Sequence, residues 1–396
     1  MLRNLQGNKS LVLIIITGLF IRVILNNIVD SNDAQSFVIW ANFLSQNSVG
    51  KLYETLPGNY LPYPPTYYYV LKPIGFILNF FKNSEWISQL IVKLPVFASE
   101  VISTLIIYKF TRKLMSKKRA TISAAFFFLH PAIIYNTSIW GQIDSIIIMS
   151  SLAFVFFATL GKEVLALTIY LISVTIKLQA LAILPLVAVW SLMSIKILRL
   201  RNYSIILILL GSLIFLPLFI TKGIQWSSRY LYSLPHQYPY TSIYAYNLWA
   251  FSGFLTLDKT KFLELIPYRF LGLTAYWIIA ALIILPFLKN KNRKPKIILF
   301  AAFLLFFDFA FFSTRIHSRY LIYSLPFASV FVSQFPLEII ALSFLIILNL
   351  MLPMPYEATK SRVLFLNQKT SIILFSLFGL FLFFVFMNKY RKLIQR

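Results

Sequence analysis

Apolar positions in this chain come in long runs and lack the alternating or 3.6-residue spacing of a half-buried surface element. Leu11–Val29, Ala120–Ser138, Tyr203–Thr221, Ile297–Phe312 and Thr370–Asn388 each carry at most one charge. Runs of about 16–20 such residues can cross a hydrocarbon core of roughly 30 Å as helix, the form that satisfies its own backbone hydrogen bonds there. The pattern predicts an all-α fold, a polytopic transmembrane helical bundle.

The polar breaks orient the bundle. Basic residues cluster at Arg112, Lys113 and Lys117–Arg119, at Lys196, Arg199 and Arg201, at Lys289–Lys296, and at Lys389–Arg396. The positive-inside rule places these clusters, and the amino terminus, in the cytoplasm. One crossing must then separate the outer end of the first span from Arg112. Tyr67–Phe81 is short and is interrupted by Lys72, Pro73 and Gly75, so it reads as a helix on the membrane surface, and Ile87–Phe110 makes the crossing. Residues 30–86 become a large first external loop.

The count closes at about twelve spans, near 11–29, 88–110, 120–138, 145–160, 164–180, 181–195, 203–221, 267–288, 297–312, 321–335, 337–352 and 370–388. The two around Gln179 alternatively form a broken or re-entrant pair. Further external segments fall at Trp140–Asp144, Lys222–Pro267 and Ser313–Arg319.

Composition agrees with this reading. Of 396 residues, 59% are hydrophobic and 12% charged, with a mean hydropathy of +0.77. The net charge of +25 points to nucleic acid only where basic residues share a face; here they sit between apolar runs, so no nucleic-acid partner is expected. Cysteine is absent, which excludes disulfides, thiolate nucleophiles and zinc thiolate sites. The first apolar stretch is expected to be an uncleaved span.

With 12 acidic residues, candidates for a general base can be weighed singly. Glu54, Glu85, Asp258, Glu264 and Glu357 lie in loop sequence with no polar company that suggests a site, and Glu163 and Glu338 are expected on the cytoplasmic side. Glu100 and Asp308 fall inside spans, where an ionisable group is costly and usually paired or functional; Lys93 is the expected partner of Glu100. Asp30, Asp33 and Asp144 remain, at outer span ends.

Two of these open or close distinctive strings. Asp33-Ala-Gln-Ser-Phe37-Val-Ile-Trp40 is followed by Asn59-Tyr60-Leu-Pro62-Tyr63-Pro64-Pro65, and Asp144 closes His130-Pro131 through Tyr135-Asn136-Thr-Ser-Ile-Trp140-Gly141-Gln142-Ile-Asp144. Further on come Lys93-Leu-Pro95, Lys177-Leu-Gln179-Ala180, Tyr238-Pro239-Tyr240 through Tyr246-Asn247-Leu248-Trp249, and Thr314-Arg315-Ile-His317-Ser-Arg319-Tyr320. In this order, over residues 20–325, the strings resemble the GT-C superfamily of membrane glycosyltransferases, especially bacterial and archaeal mannosyltransferase-like members. The chain departs from that pattern at Leu178, where members commonly carry proline, and at Ser318, where they commonly carry an acid.

The resemblance implies an inverting transferase that moves a sugar from a polyprenyl-phosphate carrier to a lipid, glycan or protein acceptor. It implies a multi-pass protein of a prokaryotic plasma membrane, among membrane lipids, with its site facing outward. Residues 1–335 would form the catalytic module and 336–396 C-terminal transmembrane helices. Asp33 is the implied base, with Asp144 as second carboxylate. Arg315, His317 and Arg319, and less directly Lys177, are candidates for the carrier phosphate, since guanidinium forks match phosphate oxygens. Gln142, Trp140, Tyr63, Tyr246 and Asn247 are candidates for the sugar or acceptor. No cofactor is expected; a divalent metal between the two aspartates is the weaker alternative, because two carboxylates make a poor ligand set. A transporter or flippase without chemistry is the competing reading, and it predicts ionisable residues near the midplane and an internal repeat; here the acidic residues concentrate at outer span ends and no repeat is visible.

Overall fold

The computed structural model describes residues 9–26, 28, 31–55, 61–81, 84–289, 294–351 and 369–395. Asp30, Asn59, Tyr60 and Glu357 lie outside the described residues. The chain is mostly helical. In order come α1 (Lys9–Ile24), α2 (Asn32–Gln46), α3 (Val49–Thr55), α4 (Pro65–Leu78), α5 (Glu85–Leu114), α6 (Lys117–Phe128) and α7 (Pro131–Ile134), then a π-helical turn over Tyr135–Ile139. There follow α8 (Asp144–Thr159), α9 (Glu163–Ile176), a 3₁₀ stretch over Leu178–Ile183, α10 (Leu184–Ser194) and α11 (Ile197–Ser233). The rest comprises α12 (Tyr268–Lys289), α13 (Pro295–Phe312), a 3₁₀ stretch over Ser318–Ser324, α14 (Leu325–Ser329), α15 (Pro336–Met351) and α16 (Lys369–Gln395). The only sheet among the described residues is two-residue pairs: β1 (Ser242–Ile243) with β4 (Ile316–His317), parallel, and β2 (Lys261–Phe262) with β3 (Ile266–Pro267), antiparallel.

Among the described residues, six helical stretches are long and apolar enough to cross a membrane: Glu85–Leu114, Lys117–Ile139, Leu198–Ser233, Tyr268–Leu288, Pro295–Phe312 and Lys369–Gln395. In Leu198–Ser233 only 6% of the most apolar window is buried by protein, leaving Ile208, Leu209, Leu213 and Ile220 bare. A surface of that size and composition suits lipid and not water. The chain is a membrane protein.

Two stretches differ from the sequence expectation. Residues 321–335 form no continuous span; a 3₁₀ turn and the five-residue α14 occupy them, with Pro326 at the start of α14 and most side chains buried. An apolar run buried in protein needs no single helix, and composition cannot distinguish it from one in lipid. Conversely, helix continues past Thr221 to Ser233 through a kink at Gly223 (φ 74°, ψ 165°), a left-handed conformation open to glycine.

The chain forms two compact units. The first comprises residues 1–104, 134–181 and 194–237, the second 105–133, 182–193 and 238–396. In the first, α2 begins at Ser31 in extended conformation with Asp33 in its first turn, where a carboxylate meets the positive helix end. Its buried stripe, Ala34, Phe37, Trp40, Ala41 and Leu44, recurs at three and four residues, so α2 is amphipathic. It packs on α4, which starts at Pro65, a residue preorganised for the first helical position. The approach is close at Gly75, where an added Cβ would stand 1.9 Å from the Ala41 carbonyl oxygen. In the second unit, α13 is buried on nearly all sides against α12, α14 and α16.

Candidate functional site

In the first unit, which resumes at Ile134, the widened backbone of the π-helical turn ends in a sharp bend before α8. The Trp140 N–H donates to the Tyr135 carbonyl and the Gln142 N–H to the Asn136 carbonyl, both at 2.9 Å. Gly141 takes φ 77° between them, and an added Cβ would lie 2.8 Å from that of Ala34 on α2. The bend is thus seated on the first turn of α2. Ser31, at the cap of α2, donates its hydroxyl to the Trp140 carbonyl.

This seating fixes Asp33. Its Oδ2 accepts from Trp140 Nε1 at 3.0 Å and from the Gln142 side-chain amide. Trp140 and Gln142 are buried, whereas Asp33 keeps partial access to the outside. Two donors on one oxygen orient the carboxylate.

Asp144 is arranged differently. At the first residue of α8 it is fully buried, its Oδ1 ion-paired with Lys177 and its Oδ2 facing Asn136 Nδ2 at 3.4 Å. Lys177 follows α9 in extended conformation (φ −156°, ψ 129°), so the helix breaks here although Leu178 is not proline. Lys177 is 4% exposed, and its ammonium also lies 5.7 Å from the centre of the Tyr63 ring. The pair ties α8 to the end of α9 and neutralises both charges inside the protein, where an isolated charge costs several kcal/mol.

The expected Lys93–Glu100 pair does not form. Glu100 takes Arg22 of α1 and the Ser145 hydroxyl, the latter at 2.8 Å. Lys93 donates to Asn26 Oδ1 at 2.9 Å and to the Ser138 carbonyl at 2.8 Å. The π-helical turn presents that carbonyl, and sequence spacing along α5 alone gives no sign of it.

The aromatic string near Tyr63 is core and not an open platform. Phe37, Trp40, Tyr63, Tyr67 and Tyr68 pack edge to face or tilted with centroids 5.3–6.3 Å apart. Tyr53 joins them through Tyr68, and the Tyr230 hydroxyl reaches the Leu61 and Tyr63 carbonyls at 2.6 and 2.8 Å. Burial holds the Tyr53 and Tyr68 phenols well above their ordinary range, so they stay neutral.

The remaining candidates lie in the second unit. Strand pairing sets Ser242 beside Ile316 and Ile243 beside His317, the Arg315 N–H donates to the Tyr240 carbonyl at 2.8 Å, and Trp249 Nε1 donates to the Phe312 carbonyl at 2.6 Å. The sequence strings around Tyr240 and Arg315 therefore form one structure. Asn247 serves its own fold: Oδ1 accepts from the Trp249 N–H at 3.1 Å and Nδ2 points to the Ser313 carbonyl at 3.4 Å. Tyr246 is buried against Phe254 and Phe375, which pushes its phenol up to about 12. Neither presents an open surface to a sugar.

Arg315 adopts φ 63°, uncommon for a side-chain-bearing residue, and its Nε donates to Asp258 at 2.5 Å. Asp258, set aside in the sequence reading, is thus buried and paired. His317 Nδ1 lies 3.2 Å from the Ser318 hydroxyl, so serine supplies it a polar partner. Arg319 is half-buried, its guanidinium 5.6 Å from the Tyr320 ring centre. Asp308 is fully buried, and neither carboxylate oxygen has a hydrogen bond among the described residues.

No three His, Asp or Glu side chains gather as a metal site among the described residues. Comparison of the sequence with protein-family models and with curated proteins finds no significant match.

Proposed function

We propose that the chain is an inverting glycosyltransferase of a prokaryotic plasma membrane, a multi-pass protein with an outward-facing site that uses a polyprenyl-phosphate sugar. The observation that carries the reading is the contrast between the two carboxylates. Asp144 is buried and neutralised by Lys177, whereas Asp33 is partly open and aimed by two donors on a single oxygen. A general base needs that combination of access and fixed direction.

In the proposed step an acceptor hydroxyl oxygen forms a bond to the anomeric carbon. The bond from that carbon to the carrier phosphate oxygen breaks, and its electron pair leaves on polyprenyl phosphate. The hydroxyl proton passes to Asp33. Direct displacement inverts the anomeric configuration, as in inverting glycosidases. Arg315, His317 and Arg319 are proposed, from the resemblance alone, to bind the carrier phosphate, since guanidinium forks match phosphate oxygens. Lys177, Trp140 and Gln142 act as positioning residues, since their polar groups hold Asp144 and Asp33. The test is purified protein incubated with radiolabelled polyprenyl-phosphate sugars and a set of lipid, glycan and peptide acceptors. Transfer of label to any acceptor supports the reading, and absence of transfer across the whole set removes it.

A further inference from the structure

A cleft of about 700 Å³ opens in the first unit between α2, the end of α4 and the start of α5. Positions 35, 38, 39, 42 and 46 supply one wall at the three- and four-residue steps of a single helix face, the face opposite the buried stripe that ends in Asp33. Side-chain amides dominate the polar lining: Gln35, Asn42, Gln46, Asn79 and Gln89, with one carboxylate, Glu85. In a chain with 37 lysines and arginines, none among the described residues lines this cleft. The lining amides suit neutral donors and acceptors, whereas phosphate calls for cations or bare backbone N–H groups.

Gln89 gives the most specific sign. It is 1% exposed, its Nε2 donates to Glu85 Oε1 at 3.3 Å, and its Oε1 has no hydrogen-bond partner among the described residues. A buried amide oxygen left unpaired is costly, and Gln89 is one of the residues that line the cleft. Amides both donate and accept, as hydroxyls do. Ile39, 62% exposed, offers an apolar wall for the C–H face of a ring.

We propose that this cleft binds a neutral polyhydroxylated group, a saccharide, separately from Asp33. The inference rests on the proposed transferase reading only in identifying that saccharide as part of the acceptor. The test uses full-length protein in detergent micelles with α-mannotriose, maltotriose, chitotriose and xylotriose as probes, read by saturation-transfer NMR, with inorganic phosphate as the anionic comparison. At least one trisaccharide should bind and phosphate should not compete. Asn42→Ala/Gln46→Ala, at two exposed positions that leave the core alone, and Gln89→Leu should each weaken binding about tenfold or more, and Asp33→Asn should leave it unchanged. Binding that persists in both cleft variants, or no binding by any of the four probes to folded protein, overturns the proposal. Because no turnover is read, transfer activity and saccharide binding can fail independently.

Discussion

Lys177 and Asp144 face each other inside the first unit, where neither carboxylate nor ammonium reaches water. Removing one partner leaves the other charge buried alone, which typically costs about 3–5 kcal/mol. Lys177→Met should therefore lower thermal stability in detergent sharply, and the double variant Lys177→Met/Asp144→Asn should recover most of it. A single variant as stable as the parent would show that the pair does not hold the bend before α8.

Gly141 connects that bend to the base. Its φ of 77° and the 2.8 Å approach that an added Cβ would make to Ala34 leave no room for a side chain. Gly141→Ala should cost about 1–2 kcal/mol for the left-handed backbone and shift Trp140 and Gln142 away from Asp33. Misplacement by about 1 Å can slow a reaction roughly 10²-fold, so turnover should fall far more than the melting temperature suggests. Normal turnover in a folded Gly141→Ala protein would separate the bend from the chemistry.

Arg315 has two roles to distinguish, an ion pair with Asp258 and the proposed contact with phosphate. Arg315→Ala should destabilise the second unit by about 1–3 kcal/mol, because Asp258 loses its partner. Adding Asp258→Asn should restore stability. If the guanidinium also serves the carrier, affinity for polyprenyl phosphate in the double variant should stay about 10- to 100-fold weakened. Affinity equal to that of the parent would leave Arg315 a structural residue.

The absence of cysteine makes topology directly measurable. Gln46 and Lys117 are exposed, whereas Gln142 and Ser318 are too buried to report. Gln46→Cys should react with an impermeant thiol reagent on intact cells and Lys117→Cys should not. The opposite pattern would reverse the proposed orientation.

Sequence patterning shows the helical class and singles out Asp33 and Asp144 because both leave local signals: run length for the helices, and the spacing from Asp33 to Trp40 and from Asn136 to Asp144. Pairings across distance leave none. Arg22 with Glu100 is 78 positions apart and Arg315 with Asp258 is 57, so Lys93 on the same helix is the nearer but incorrect choice for Glu100. Apolar composition likewise hides the irregular course of 321–335, which protein and not lipid buries. The amide-lined cleft is invisible in the sequence for a related reason. Its polar side chains come from three helices, and on α2 they alternate with the core stripe instead of forming a motif.

The central claim is that Asp33 takes the proton from the acceptor. Asp33→Asn keeps the shape and the side-chain position but removes the proton acceptor, and general-base assistance is typically worth about 10²–10⁴ in rate. The direct measurement is single-turnover sugar transfer by purified Asp33→Asn protein, with carrier affinity measured alongside. A fall of at least about 10²-fold in rate with carrier affinity little changed is the predicted result. Transfer at the parental rate by folded Asp33→Asn protein would contradict it.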